Sequence, residues 1–262
     1  MLIIISLFIL IFIFLWYNNN VLMCSYYNVT SNNSLCIVQI SDLHNKSFGI
    51  NQRHILNKIC MQSPDLIVIT GDLVHNSKHK NAKFFIENVS HIAPTFFVSG
   101  NHEYIAQNYD SLKSLLIQNN ITILDNKSFS FKKGDLVYTL YGIADPMSEG
   151  YDRDYSNYIK NKLDSFSYNS SSYNILLSHR PELLDLYSQY HIQLILCGHA
   201  HGGQFRIPFV GGFIAPNQGF FPKYCSGLHK KKNSIEIISR GLGNSVFPFR
   251  LFNRPELVII KL

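Results

Sequence analysis

Along residues 35–262 short apolar runs alternate with polar loops. Leu35–Ile40 (LCIVQI), Asp65–Thr70 (DLIVIT), Thr95–Gly100 (TFFVSG), Tyr173–Ser178 (YNILLS) and Ile192–Cys197 (IQLILC) are near-continuous in apolar residues, the pattern of strands buried on both faces. Between the first two, Ile55, Leu56, Ile59 and Cys60 recur at helical spacing and Pro64 closes the segment, which predicts a β-α-β unit. Residues 121–144 (ITILDNKSFSFKKGDLVYTLYGIA) predict consecutive hairpin strands turning at KKGD, and residues 234–239 and 256–261 add two more strands. The fold class expected is α/β, with two mixed β-sheets face to face and helices outside. No internal repeat is present.

The first sixteen residues, MLIIISLFILIFIFLW, break this pattern because Ser6 is the one polar residue among them. As a helix they would measure about 24 Å, just short of a hydrocarbon core of about 30 Å. A cleaved signal peptide is the rival reading, but no Lys or Arg precedes Lys46 and no small-x-small cleavage site follows. The expectation is an uncleaved membrane anchor over 1–17, a polar tether over 18–34 and one folded domain over 35–262. With no flanking charges to count, the positive-inside rule does not orient the segment. The catalytic domain is placed on the outer face as a working expectation.

Composition adds less. Charged residues make up 15% of the chain, below the roughly 25% usual for soluble proteins. The formal charge of +6 suits anionic substrates or surfaces, but the Lys and Arg residues are scattered, so no dedicated nucleic-acid surface is expected. The five cysteines form no CxxC pair. Cys36, Cys60 and Cys197 lie in apolar runs and are expected as small core residues rather than a disulfide framework.

Chemistry concentrates where the apolar runs stop. Asp42 and His44 follow the first, Asp72 the second, Asn101 and His102 the third, His179 the fourth, and His199 and His201 the fifth. Singly, an Asp after a strand is a turn or cap residue, and a lone His is a satisfied, half-buried one. Together, at strand ends that converge on one crevice of an α/β sheet, they form a set of oxygen and nitrogen ligands for divalent metal ions.

In these residues the chain resembles the calcineurin-like metallophosphoesterases, whose motif series DxH, GD, GNHE, H and GHxH appears as Asp42-Leu43-His44, Gly71-Asp72, Gly100-Asn101-His102-Glu103, His179 and Gly198-His199-Ala200-His201. The segments 198–227 and 239–260 are similar to the membrane-associated bacterial subgroup that includes the YkuE and YaeI phosphoesterases. The resemblance implies a four-layer α/β/β/α sandwich with two divalent ions (Mn, Fe or Zn). Asp42, His44 and His201 would bind one, Asn101, His179 and His199 the other, and Asp72 would bridge them. It implies a metal-bridging hydroxide as nucleophile and His102 as the non-ligand group that protonates the leaving oxygen, with orientation of Asn101 as the alternative role for His102. Ala200, where Thr is common, is expected to point away from the metals.

The activity implied is hydrolysis of a phosphodiester or pyrophosphate, in a lipid-linked or envelope-associated substrate, by a monomer. Alternatives are a nuclease or phosphomonoesterase with the same centre, or a non-catalytic membrane-tethered metal-binding module. Residues 209–224 (FVGGFIAPNQGFFPKY) are read as either a core-packed loop or a membrane-facing lip. Arg180, Arg206 and Arg250 are candidates for a second phosphate. Gly198 is expected to allow a sharp exit from its strand, His199 and His201 to project from one extended segment, and Gly202 and Gly203 to let backbone pass close to site and substrate.

Overall fold

The computed structural model describes residues 1–30, 35–75, 80–107, 109–151, 154–244 and 247–262. One six-stranded sheet runs in the spatial order β1 (Met23–Asn28), β12 (Glu256–Lys261), β2 (Cys36–Ile40), β3 (Leu66–Thr70), β4 (Thr95–Val98), β5 (Ile121–Ile123). A second runs β10 (Gly227–Lys231), β11 (Ser234–Ile238), β9 (Leu194–Cys197), β8 (Tyr173–Leu177), β7 (Leu136–Gly142), β6 (Lys127–Lys133). Strands β2 to β5 are mutually parallel, as are β7, β8, β9 and β11, while β12 is antiparallel to β2, β6 to β7 and β10 to β11.

Period-two alternation within each strand creates the layers. Ile37, Val68, Phe96, Leu140, Ile175, Leu196 and Ile260 meet between the sheets. Their neighbours Val38, Ile40, Ile67, Ile69 and Phe97 face outward onto α2 (Arg53–Cys60), α3 (Lys80–Val89) and α5 (Tyr109–Gln118) through Ile55, Ile59, Phe85, Ile86, Leu112 and Leu116. On the other side Leu176, Ile195 and Cys197 pack on α6 (Ser156–Asp164) and α7 (Leu184–Tyr187) through Ile159, Leu163, Leu184 and Tyr187. This is the expected α/β/β/α sandwich. Each of these fully buried aliphatic side chains contributes about 1.5–3 kcal/mol, so the chain has strong reason to keep this register.

Three expectations change. Residues 121–123 do not open a run of hairpins: α5 carries the chain over to place β5 parallel to β4 in the first sheet, and within residues 121–144 the hairpin is β6 with β7. Cys60 is exposed at the end of α2 rather than in the core, and all five cysteines are free. The third concerns the N-terminus. The apolar segment is the helix α1 (Leu2–Asn20), but Met23–Asn28 is strand β1, paired in parallel with β12, where a polar tether over 18–34 was expected. Cys24 and Tyr27 pack on the two cores, which anchors this edge strand although its sequence is not continuously apolar. Cutting the chain at residue 35 would therefore remove an integral strand.

Candidate metal centre

The carboxyl ends of β2, β3, β4, β8 and β9 deliver all eight expected residues to one edge of the sandwich. Asp42 N–H donates to Gly71 C=O and His44 N–H to Asp72 C=O, each 3.0 Å, so the first two motif loops are zipped together. The third loop joins through His102 N–H, which donates to Asp72 Oδ1 (2.9 Å). The last joins through His199 N–H, which donates to Asp42 Oδ1 (3.1 Å). Asp42, His44, Asp72, His199 and His201 all have positive φ (52°, 46°, 57°, 68° and 48°). Such left-handed non-glycine residues cost of order 1–3 kcal/mol each and persist where surrounding structure holds a functional geometry.

Three groups of potential ligands result among the described residues: His44, His75 and His102 form one, without a carboxylate, and two others contain Asp72. Asp42, His44, Asp72 and His201 form the first of these two, and Asp72, His179 and His199 the other, with Asp72 common to both. His44 Nε2 lies 3.1 Å from His201 Nε2 and 3.5 Å from Asp72 Oδ2, and His201 Nε2 is 3.3 Å from Asp42 Oδ1. His179 Nε2 lies 3.3 Å from the same Asp72 Oδ2 and 3.2 Å from His199 Nδ1. His179 Nδ1 donates to Thr70 C=O (2.7 Å), which fixes the ring with its Nε2 turned inward. Asn101 Oδ1 and the Nδ1 atoms of His44, His102 and His201 are buried without a hydrogen-bond partner. Ring nitrogens facing one another at such distances, with the carboxylates of Asp42 and Asp72 against them, form a set that a proton or a metal cation between the rings would satisfy, and the mix of imidazole and carboxylate donors suits divalent metals. The residues fit a pair of divalent cations.

Electrostatics agrees. Burial keeps His44 (down to about 3), His199 and His201 neutral, the form that binds metal. For His179 burial is outweighed by the charge and hydrogen bond of Asp72 and by Asp42, which push it up to about 10. The two carboxylates thus draw a positive charge to the point where the two groups meet.

Several residues that hold this arrangement were not singled out in the sequence. Glu103, fully buried in α4 (Asn101–Ile105), accepts from the N–H groups of Asp72 (2.8 Å), Leu73 (2.8 Å), Val74 (3.4 Å) and Gly100 (2.7 Å). Burial and the Asp72 charge push its pKa up to about 8 against the pull of those donors. His75 stacks on His102 with ring centroids 4.8 Å apart and stands edge-on to His44 at 5.3 Å. Ser41 Oγ donates to Asp42 Oδ2 (2.5 Å). The motif GNHE carried Glu103 in plain view, but no spacing rule distinguishes a carboxylate that gathers backbone N–H groups from one exposed to water.

Of the three arginines, only Arg180 reaches the centre: it forms a bidentate pair with Asp145 (2.6 and 3.0 Å), and its Nη1 lies 3.1 Å from His199 Nε2. Arg206 donates to Gly202 C=O and Ser226 Oγ. Arg250 donates to the carbonyls of Gly243, Arg240 and Asn253, so both are structural ties between loops. The glycines are likewise reassigned. A Cβ on Gly202 would lie 2.4 Å from Asn253 Oδ1 and one on Gly203 2.4 Å from Gly212 Cα, so their close approach is to this chain's own loops. The His199–His201 segment is a tight turn rather than extended, with left-handed backbone at His199 and His201 and right-handed backbone at Ala200, and it still sends the two imidazoles to different groups. Ala200 packs away from them with Ala215, Cys225 and Ile238. A Cβ at Gly198 would meet Ser41 Oγ at 1.9 Å and Asp42 Oδ2 at 2.6 Å, whereas one at Gly134 meets nothing within 4 Å. Gly198→Ala is expected to cut kcat/KM by roughly tenfold or more, by moving Asp42, while Gly134→Ala costs about 1 kcal/mol of stability at its positive φ and leaves turnover intact. Equal turnover in the two variants would show that Asp42 tolerates the displacement.

The sequence pattern of the family described as calcineurin-like phosphoesterase matches residues 36–203. The metallophosphoesterase YkuE of Bacillus subtilis is 27% identical over 232 residues, covering 86% of this chain and 78% of the relative. The phosphodiesterase YaeI of Escherichia coli is 29% identical over 247 residues, covering 86% and 81%. Among solved structures, the phosphopantetheinyl hydrolase of Mycobacterium tuberculosis superposes with a TM-score of 0.53 at 12% identity, covering 81% of this chain and 91% of that one, a likeness of fold.

Proposed function

The chain belongs to the calcineurin-like phosphoesterase family and is therefore a hydrolase of phosphoric esters that uses two divalent metal ions, and from that premise we propose that it cleaves a phosphodiester in a lipid-linked or envelope-associated molecule. The observation that carries the reading is the sharing of Asp72 by two nitrogen-rich groups. One cation would be held by Asp42, His44 and His201, the other by Asn101, His179 and His199, with Asp72 serving both. When bound, such a pair supplies Lewis acidity at the phosphoryl oxygens and a water acidified to act at neutral pH. The protein's part is positional. Thr70 orients His179, Ser41 and the His199 N–H orient Asp42, and Glu103 and the His102 N–H hold Asp72.

His102 is proposed as the proton donor to the leaving oxygen. Its Nδ1 is buried without a protein partner, its backbone is fixed on Asp72, and its ring is braced by His75. Arg180, held against Asp145, presents Nη1 beside His199, where it would complement a phosphate oxygen. Preference for a diester is supported by the likeness to a phosphodiesterase over most of both chains. A lipid-linked substrate is supported by α1, which is long and apolar enough to cross a membrane.

The test uses the full chain in detergent, stripped of metal and reloaded with Mn, Fe(II) or Zn, with bis-p-nitrophenyl phosphate and p-nitrophenyl phosphate compared. Metal-restored turnover favouring the diester by roughly tenfold is the expected result. Faster monoester turnover would replace the diesterase reading with a phosphatase.

A further inference from the structure

We propose that the aromatic loops beside the metal centre are a bilayer-docking surface, and that together with α1 they seat the catalytic edge of the sandwich on the headgroup layer of a membrane. The inference rests on α1 lying in a bilayer, as in the reading above, but not on the reaction catalysed.

The first support is topological. β12 is antiparallel to β2, and β1 is parallel to β12, so β1 begins at the same edge where β2 ends in Asp42 and His44. Helix α1 ends at Asn20, just before β1. It therefore meets the domain at the metal-bearing edge, not at the opposite one.

The second support is that this junction is fixed. Asn19 Oδ1 accepts from Arg250 N–H (2.7 Å) and Asn19 Nδ2 donates to Arg250 C=O (3.2 Å). Lys46 Nζ donates to Asn19 C=O. Arg254 donates to the carbonyls of Val21 (3.0 Å) and Leu22 (3.2 Å), and its guanidinium covers the Tyr17 ring at 4.6 Å. The Phe14 ring meets Phe252 edge-on, with centroids 5.0 Å apart. Phe14 lies six residues before the end of α1, about 9 Å along its axis. Phe252 is therefore held at the depth where Trp16 and Tyr17 would sit in the interfacial belt of a spanning helix.

The third support is the surface itself. Phe209 is fully exposed at a hairpin tip, Val210, Phe220 and Phe221 are each at least 60% exposed, and Phe249 and Phe252 are exposed beside them. Both segments hang from the metal turn. Asn253 Nδ2 donates to His201 C=O (2.7 Å) and Gln204 C=O (3.0 Å), and Gly203 abuts Gly212. Residues 205–224 and 247–254 contain no Asp or Glu, and Lys223 among them is an exposed cation, a composition suited to anionic headgroups. An apolar patch of aromatic tips, continuous with an apolar helix and without acidic residues, fits a lipid surface better than water.

The test places a single tryptophan in the full chain, replacing Trp16, the one native Trp, by Phe and introducing Phe209→Trp, Phe220→Trp or Leu136→Trp. Leu136 starts β7 at the opposite edge and is 46% exposed. Each variant is reconstituted in nanodiscs of phosphatidylethanolamine and phosphatidylglycerol with and without acyl-chain bromine. Roughly twofold or greater quenching at positions 209 and 220, with none at 136, is expected for side chains at the acyl boundary. Equal, weak quenching at all three positions overturns the proposal. So does a blue-shifted but unquenched signal at 209, which would mean that a second copy of the chain covers the patch. Folding of each variant is read from its thermal transition, and Phe220→Trp carries the test if Phe209→Trp fails to fold.

Discussion

Asp72→Asn is expected to lower phosphodiester turnover by on the order of a thousandfold and to reduce metal content at both positions. The reason is that one oxygen, Oδ2, lies 3.5 Å from His44 Nε2 and 3.3 Å from His179 Nε2, so a single substitution touches both groups. The amide is nearly isosteric, and its oxygen can still accept the His102 N–H, so the loop should remain in place. What disappears is the negative charge. Because Asp42 would then be the only remaining carboxylate in either group of potential ligands, repulsion between two cations would be poorly offset. Metal analysis separates this from unfolding. In the wild-type chain, saturating Mn at about a hundred times its Kd should stabilise by about 2.7 kcal/mol for one site, a rise in Tm of roughly 5–10 °C. The variant should show little of that rise while unfolding in a single transition. Wild-type turnover in Asp72→Asn would overturn the two-cation assignment.

The site was more legible than the scaffold around it because its residues had to be both chemically unusual and placed at strand ends. Asp42 with His44, or His199 with His201, announce themselves after a buried strand. The buried strands were equally visible, since β2, β3, β4, β8 and β9 are apolar on both faces. What stayed hidden was whatever is stabilised by partners distant in sequence. β1 is a half-exposed edge strand whose identity comes from pairing with β12 more than 200 residues later. β5 is three residues long, too short for a period to show, and its sheet is decided by α5 before it. Arg206 and Arg250 sit close to motif segments in sequence, and only the fold reveals that backbone carbonyls occupy them. Gly202 and Gly203 were recognised as places of close approach, but proximity says nothing about what approaches.

Glu103→Ala is the second large effect expected, and it acts on the frame rather than the ligands. Four backbone N–H groups from two loops, Asp72, Leu73, Val74 and Gly100, converge on this one carboxylate. Removing it strands those donors in a fully buried place, and an unsatisfied buried donor costs about 1–3 kcal/mol. A water entering the space left behind would recover part of this, so the net loss is about 3–5 kcal/mol. For a chain of this size that lowers Tm by roughly 10 °C. Activity should also fall, by about a hundredfold, because the Asp72 and Asn101 loops lose their common tie and small displacements of ligands are costly. Glu103→Gln should be intermediate, since the amide keeps one acceptor oxygen but turns an N–H₂ toward the other donors. Calorimetry on the three chains gives the ordering. A Glu103→Ala transition within about 2 °C of wild type would mean that the loops around Asp72 satisfy their N–H groups in another way, and that the carboxylate is not what holds the two motif loops in register.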